Sequence, residues 1–168
     1  MAVARTRAGW SLKTRLAVWL YAVAVFVYAA DRVTKAIAES TLGPPERSSI
    51  RLIPGVLRLT YTENPGGAFG LFGSAPWLFF LATALVCSVI VIASISLSSR
   101  MLAVGLGMVL GGALGNLTDR VGRGPGLSGQ VVDFIDFRWW PVFNLADAAI
   151  VIGAGLIVLA GIRRATGS

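Results

Sequence analysis

Four apolar stretches without a charged residue, Leu16 to Ala30, Ala75 to Leu97, Met101 to Thr118 and Ala148 to Ile162, decide what this chain can fold into. A backbone that crosses a bilayer must satisfy its own hydrogen bonds, which leaves a helix of about 20 residues per crossing. The first and last stretches are shorter than that, so each extends through its acidic boundary and takes Asp31 or Asp147 into the helix. Only 14% of residues are charged and the mean hydropathy is +0.74, which excludes an ordinary soluble domain. The expected fold is an α-helical integral membrane protein of one domain, residues 1–168, with spans near 14–35, 75–97, 101–119 and 143–162. A cleaved signal peptide is the other reading of the first stretch. The Tyr28-Ala29-Ala30 exit lacks a small residue at the first position of an Ala-x-Ala site, and the helical pattern runs on to Glu39.

Two connections are long. Between the first two spans, in a loop of residues 40–74, Leu57, Leu59 and Tyr61 alternate with Arg58, Thr60 and Thr62, a period of two that predicts a strand. Pro54-Gly55 fits a turn after Ile50, Leu52 and Ile53, so a small β-sheet is expected at the outer membrane surface. The glycine-rich turn Asn64-Pro65-Gly66-Gly67-Ala68-Phe69-Gly70 follows it. The second connection is the loop 120–142. Within the third span Gly107, Gly111 and Gly115 recur every four residues, the spacing of a face on which another helix backbone can sit closely.

The chemical vocabulary is narrow. The chain has no histidine, one cysteine and two lysines, Lys13 and Lys35, so neither a Ser-His-Asp triad nor an imidazole and thiolate zinc site can be built. Cys87 lies inside an apolar run and reads as a small buried hydrophobe. Acid and base chemistry falls to carboxylates, and a carboxylate at membrane depth is a functional-site hypothesis by default. Asp133 stands among Val131, Val132, Phe134 and Ile135, surroundings that push a carboxyl towards its neutral form. Asn144-x-x-Asp147 at the start of the fourth span resembles a helix capping arrangement, where the dipole favours a charged Asp147. One aspartate driven neutral and another driven charged is how environment divides acid and base roles. Asp31 and Lys35 stand four apart as an intrahelical ion pair, Asp119 is expected to pair with the adjacent Arg120, and Asp136 reads as a solvated partner. Asn64 and Asn116 are two-way hydrogen-bonding groups suited to holding a peptide backbone.

Taken together these segments resemble the lipoprotein signal peptidases, the bacterial type II signal peptidases. The resemblance runs from Asp31-x-x-Thr34-Lys35 through Asn64-x-Gly66-x-Ala68-Phe69-Gly70 and Gly111-Gly112-x-x-Gly115-Asn116-x-x-Asp119-Arg120. It continues through Val131-Val132-Asp133-Phe134 to Phe143-Asn144-x-Ala146-Asp147. It implies an intramembrane aspartyl endopeptidase that cleaves prolipoproteins just before a diacylglyceryl-modified cysteine, in contact with membrane lipid. The catalytic pair maps onto Asp133 and Asp147, and Asn64, Asn116, Arg120 and Asn144 map onto substrate-binding positions. Asp31, Lys35 and Asp119 map onto supporting positions. No cofactor, metal or nucleic-acid partner is implied, and cyclic-peptide antibiotics are implied as inhibitors. Two departures stand out, a long link from Arg123 to Gly129 and Gly67 in place of a larger small residue.

Two other functions fit parts of the pattern. A small ion-coupled transporter would use Asp31, Asp133 and Asp147 as cation sites, but such sites lie near the bilayer midplane and these lie at span ends. A magnesium-dependent phosphotransferase would need a denser set of carboxylates on one helix.

Four spans put both termini on one side, with Arg5, Arg7, Lys13, Arg15, Arg100, Arg163 and Arg164 in short segments beside the spans. That density predicts cytoplasmic termini and acidic residues at the extracytoplasmic face, and the family resemblance implies that the membrane is a bacterial inner (cytoplasmic) membrane. A cysteine introduced at Ser48 should therefore react in intact cells with a membrane-impermeant thiol reagent, and one at Ser99 should stay unlabelled. Labelling of Ser99 with protection of Ser48 would invert the topology.

Overall fold

The structure is a computed structural model that describes residues 11–45, 48–65, 76–127 and 129–167. Residues 66–70 of the glycine-rich turn, and with them Gly67, lie outside the described residues. Among the described residues, four helices are long and apolar enough to cross a membrane: α1 (Leu12–Leu42), α2 (Pro76–Ala93, continued by a 3-10 turn to Ser96), α3 (Arg100–Gly122) and α4 (Leu145–Thr166). Ser11 caps α1 by accepting from the Thr14 amide, and Ser99 caps α3 by accepting from the Leu102 amide. A three-stranded antiparallel sheet in the order β1 (Ile50–Ile53), β2 (Leu57–Asn64), β3 (Val131–Phe137) completes the fold. An integral four-helix membrane protein with a small sheet is thus what the sequence pattern led us to expect.

The connection 120–142 is more ordered than a loop. Its Val131–Phe137 segment is β3, which pairs with β2 and so joins the two long connections into one sheet. Val131, Val132, Asp133 and Phe134 are all buried, so β3 carries no period-two signature that a single-sequence reading could have used. The long link before it contains a 3-10 turn at Pro125–Leu127. Gly129 then donates its N–H to the Arg120 carbonyl at 3.0 Å, and a Cβ there would collide with the Asp119 and Arg120 carbonyls. That glycine lets the chain return against the end of α3 and start β3 beside the site.

α3 is the central helix, packed on α1, α4 and α2. Its glycines divide between two faces. Cβ atoms on Gly107 and Gly111 would lie 2.5 Å from the Leu20 and Ala24 carbonyls of α1, and one on Gly112 would lie 2.5 Å from the Ala146 carbonyl of α4. The helices therefore meet backbone to backbone, the close packing that drives association where lipid offers no hydrophobic gain. α1 runs beyond Lys35 to Leu42, and this extension carries the sheet: Ala38 and Leu42 pack with Tyr61, Val132 and Phe134. Leu16, Leu20, Ala24, Ile90, Leu97, Ala103 and Leu110 form the second core, inside the bundle.

Gly111→Val should separate α1 from α3, because its β-branched side chain meets Ala24 backbone and Val27 Cβ, neither of which can swing aside. A loss of about 1–3 kcal/mol is expected from overpacking, read as a lower melting temperature in detergent. Gly155→Val, where nothing lies within 4 Å of the added Cβ, is the matched control.

Candidate active site

The two aspartates singled out in the sequence reach one cavity from different kinds of element. Asp133 projects from β3 and is 2% exposed, while Asp147 stands in the first turn of α4. Both line a cavity of about 260 Å³ together with Asn64, Asn116 and Arg120. Asn144, expected at a substrate-binding position, is instead fully buried behind the cavity wall and is not one of its lining residues. Its side-chain oxygen accepts from the Asp147 amide at 3.0 Å while the Asp147 carboxylate accepts from the Asn144 amide at 3.3 Å, a reciprocal capping box. The free end of the same side chain donates to Asp133 Oδ1 at 2.6 Å. One residue thereby fixes both carboxylates.

The other two asparagines each serve one aspartate. Asn64 Nδ2 donates to Asp133 Oδ2 at 2.9 Å and Asn116 Nδ2 donates to Asp147 Oδ1 at 2.8 Å. Asn116 Oδ1 in turn accepts from Lys35 Nζ at 2.9 Å and from Asn144 Nδ2 at 3.2 Å. Because an ammonium can only donate, Lys35 forces the oxygen end of the Asn116 amide towards itself and the donor end towards Asp147. Burial pushes the Asp133 carboxyl up to about 7; the Asn64 amide opposes this and the neighbouring Asp147 charge adds to it.

Asp31, Lys35 and Asp119 form a buried cluster beneath the cavity. Lys35 Nζ lies 2.8 Å from Asp31 Oδ2 and 2.8 Å from Asp119 Oδ2, with all three side chains fully shielded. The i,i+4 pairing of Asp31 with Lys35 is as the spacing implies. Asp119 differs from expectation: its partners are Arg32, Lys35 and Arg123, not the adjacent Arg120. On a helix, consecutive residues point about 100° apart, so Asp119 faces α1 while Arg120 faces the cavity. Arg120 is 6% exposed, lies 5.0 Å over the Phe79 ring, and its Nη1 is buried without a hydrogen-bond partner among the described residues. Asp136 is likewise buried and paired with Arg58 across the sheet, not solvated.

The sequence reading missed several wall residues. Phe79 and Thr83 come from α2, and Trp140, Pro141, Val142 and Phe143 from the segment ahead of α4. Thr83 carried a faint signal, as one of two hydroxyls inside the apolar run of α2. The aromatic and proline segment carried none, since nothing in its composition separates a cavity wall from a membrane-interface belt.

Comparison with known proteins is consistent with this geometry. The sequence profile described as signal peptidase (SPase) II matches residues 23–163. The chain belongs to the signal peptidase II family. A lipoprotein signal peptidase of Rhodococcus jostii (strain RHA1) is 43% identical over 141 residues, 83% of this chain and 70% of that protein. One of Syntrophomonas wolfei is 46% identical over 136 residues, 80% of this chain and 87% of that protein. A bacterial membrane enzyme solved by the in meso method at 2.3 Å superposes with a TM-score of 0.76 at 33% identity, covering 89% of this chain and 90% of that one. As a member of that family, the chain is a multi-pass membrane protease of the kind that processes lipoproteins.

The state of Asp133 sets a pH dependence of stability. Its folded value, about 7, lies above the ordinary 3.8, so between those values the folded state keeps a proton that the unfolded chain has lost. The contribution is complete at the acid end of that window and disappears as pH rises through its upper end. Asp133→Asn removes the titration. The melting temperature of the variant minus that of the wild type should grow more positive from pH 4 to pH 8, and a difference flat across that range would show that Asp133 ionises freely.

Proposed function

We propose that this protein is an intramembrane aspartyl endopeptidase that cleaves prolipoproteins just before a diacylglyceryl-modified cysteine, with Asp133 and Asp147 as its catalytic pair. The observation that carries the reading is the pair itself: two carboxylates on one cavity, both held by Asn144 and each held by a further asparagine. With no imidazole in the chain and no thiol in that cavity wall, water is the attacking species.

In the reactive state the pair shares one proton, carried by Asp133, whose carboxyl burial pushes up to about 7. Asp147 takes a proton from water as the oxygen attacks the scissile carbonyl carbon, and Asp133 gives its proton to the carbonyl oxygen. The resulting gem-diol collapses when Asp147 returns its proton to the leaving amine and Asp133 recovers one from a hydroxyl. The C–N bond breaks, and both groups end as they began. Asn64 and Asn144 steady Asp133, and Asn116 and Asn144 steady Asp147. Arg120, with a buried donor free among the described residues, is placed to hold a substrate carbonyl. Asp31, Lys35 and Asp119 act as support. Cyclic-peptide antibiotics would inhibit by occupying the same cavity. The dyad lies at the extracytoplasmic face of the bacterial cell membrane, where exported prolipoproteins arrive.

Asp133→Asn and Asp147→Asn should each abolish cleavage of a synthetic diacylated prolipoprotein peptide while the purified proteins stay folded. Retention of more than about a tenth of the wild-type rate, under about 1.4 kcal/mol of barrier, by either variant would remove that residue from the dyad. Cleavage should persist in chelator and follow a bell-shaped pH profile, since two interacting carboxyls titrate as a pair. A rate lost to chelator would instead favour metal chemistry.

A further inference from the structure

The sheet presents a second concave surface away from the dyad, and its chemistry is cationic. An open cavity of about 540 Å³ is lined by Arg51, Arg58 and Arg138 together with Ser49, Ile53 and Val56. Register explains the convergence. Arg51 of β1 lies directly opposite Arg58 of β2, and Arg58 lies opposite Asp136 of β3. Arg138, two residues beyond Asp136, is tied to the β1–β2 turn by its backbone N–H, which donates to the Val56 carbonyl at 3.3 Å. Among the described residues, three guanidinium groups thus share one face with a single carboxylate, Asp136. Asp136 pairs with Arg58, and neither Arg51 nor Arg138 makes an ion pair among the described residues.

Like charges directly opposite one another on adjacent strands destabilise a sheet. Arg51 against Arg58 is such a pair, with Arg138 adding a third positive charge and Asp136 offsetting one. The arrangement becomes favourable when an anion lies between the strands, and guanidinium groups are matched to phosphate oxygens by their paired N–H donors. We propose that this face of the sheet is a binding site for a phosphate-bearing anion, held by Arg51 and Arg138 beside the Arg58–Asp136 pair. The cavity is far larger than a lone phosphate fills. Its apolar rim at Ile53 and Val56, 52% and 43% exposed, favours a phospholipid headgroup over inorganic phosphate as the source. The site lies apart from the dyad, so it stands or falls independently of the cleavage mechanism.

The test is thermal unfolding of the full chain in neutral detergent, for the wild type and for the double variant Arg51→Gln/Arg138→Gln. Each is measured with added short-chain phosphatidylglycerol, with phosphatidylcholine and with inorganic phosphate. Both substituted residues are exposed, and removing like charge leaves the ligand-free sheet no less stable, so the double variant should match or exceed the wild type without lipid. Phosphatidylglycerol should raise the wild-type melting temperature more than phosphatidylcholine does, and the double variant should lose most of that difference. Other cations of the chain contribute equally to both proteins and cancel in the comparison. Equal stabilisation of both proteins by phosphatidylglycerol, or none of the wild type, would overturn the site. Inorganic phosphate matching the lipid at equal concentration would overturn the headgroup assignment.

Discussion

The polar centre of the helix bundle depends on the buried ammonium of Lys35. A lysine with a fully shielded side chain inside a helix bundle is costly unless each of its three donors meets an acceptor. Here they meet Asp31, Asp119 and Asn116, two carboxylates and one amide oxygen. Those three partners sit on α1 and α3. Asp31 extends the tie by accepting from the Ala146 amide of α4 at 3.1 Å, one of the N–H groups that a helix start leaves without an intrahelical acceptor. A single cation therefore ties three helices at one depth, beside the two aspartates of the cavity. Removing one partner of such a buried set typically costs about 3–5 kcal/mol, because it leaves the rest uncompensated.

The cluster is also balanced. Asp31, Asp119 and Glu39 face Lys35, Arg32 and Arg123, with Arg123 gripping both Glu39 oxygens at 3.0 and 2.9 Å. The charged groups that line the cavity itself are Asp133, Asp147 and Arg120, whose Nη1 has no hydrogen-bond partner among the described residues. Had Asp119 paired with Arg120, that guanidinium would have been drawn out of the cavity and the support left one partner short. The direction of the Asn116 amide follows from the same cluster, so the donor offered to Asp147 is decided two contacts away from it.

Much of this could be read from the chain, for identifiable reasons. The spans, the capping box and the Asp31–Lys35 pair are local features, each set by spacing within one helix, and spacing is what a sequence displays. The neutral-favouring surroundings of Asp133 were legible because its immediate sequence neighbours are buried with it. Contacts between elements were not. That Asp119 meets Arg32 and Arg123, that Asp136 meets Arg58, and that Phe79 and Thr83 close the cavity from α2 all depend on how helices and strands come together. β3 was hidden for another reason: burial at Val131, Val132, Asp133 and Phe134 erases the alternation that marks an exposed strand.

The meeting of the two carboxylates at one cavity rests on the junction of sheet and bundle. Asp147 belongs to a helix whose position is fixed by glycine packing and by the Lys35 cluster, whereas Asp133 belongs to a strand outside the spans. Two connections bring them together. Asn144 precedes α4 yet reaches β3 through its side chain, which touches both the Val132 carbonyl and Asp133. The upper part of α1, past Lys35, holds the sheet at its height through Ala38 and Leu42 against Tyr61, Val132 and Phe134. A shorter α1 would leave β3 without that seat, and Asp133 would keep its asparagine partners only as far as a free sheet could follow them. The long first helix is thus part of the site, because it sets the height at which the strand offers its aspartate to the helix that offers the other.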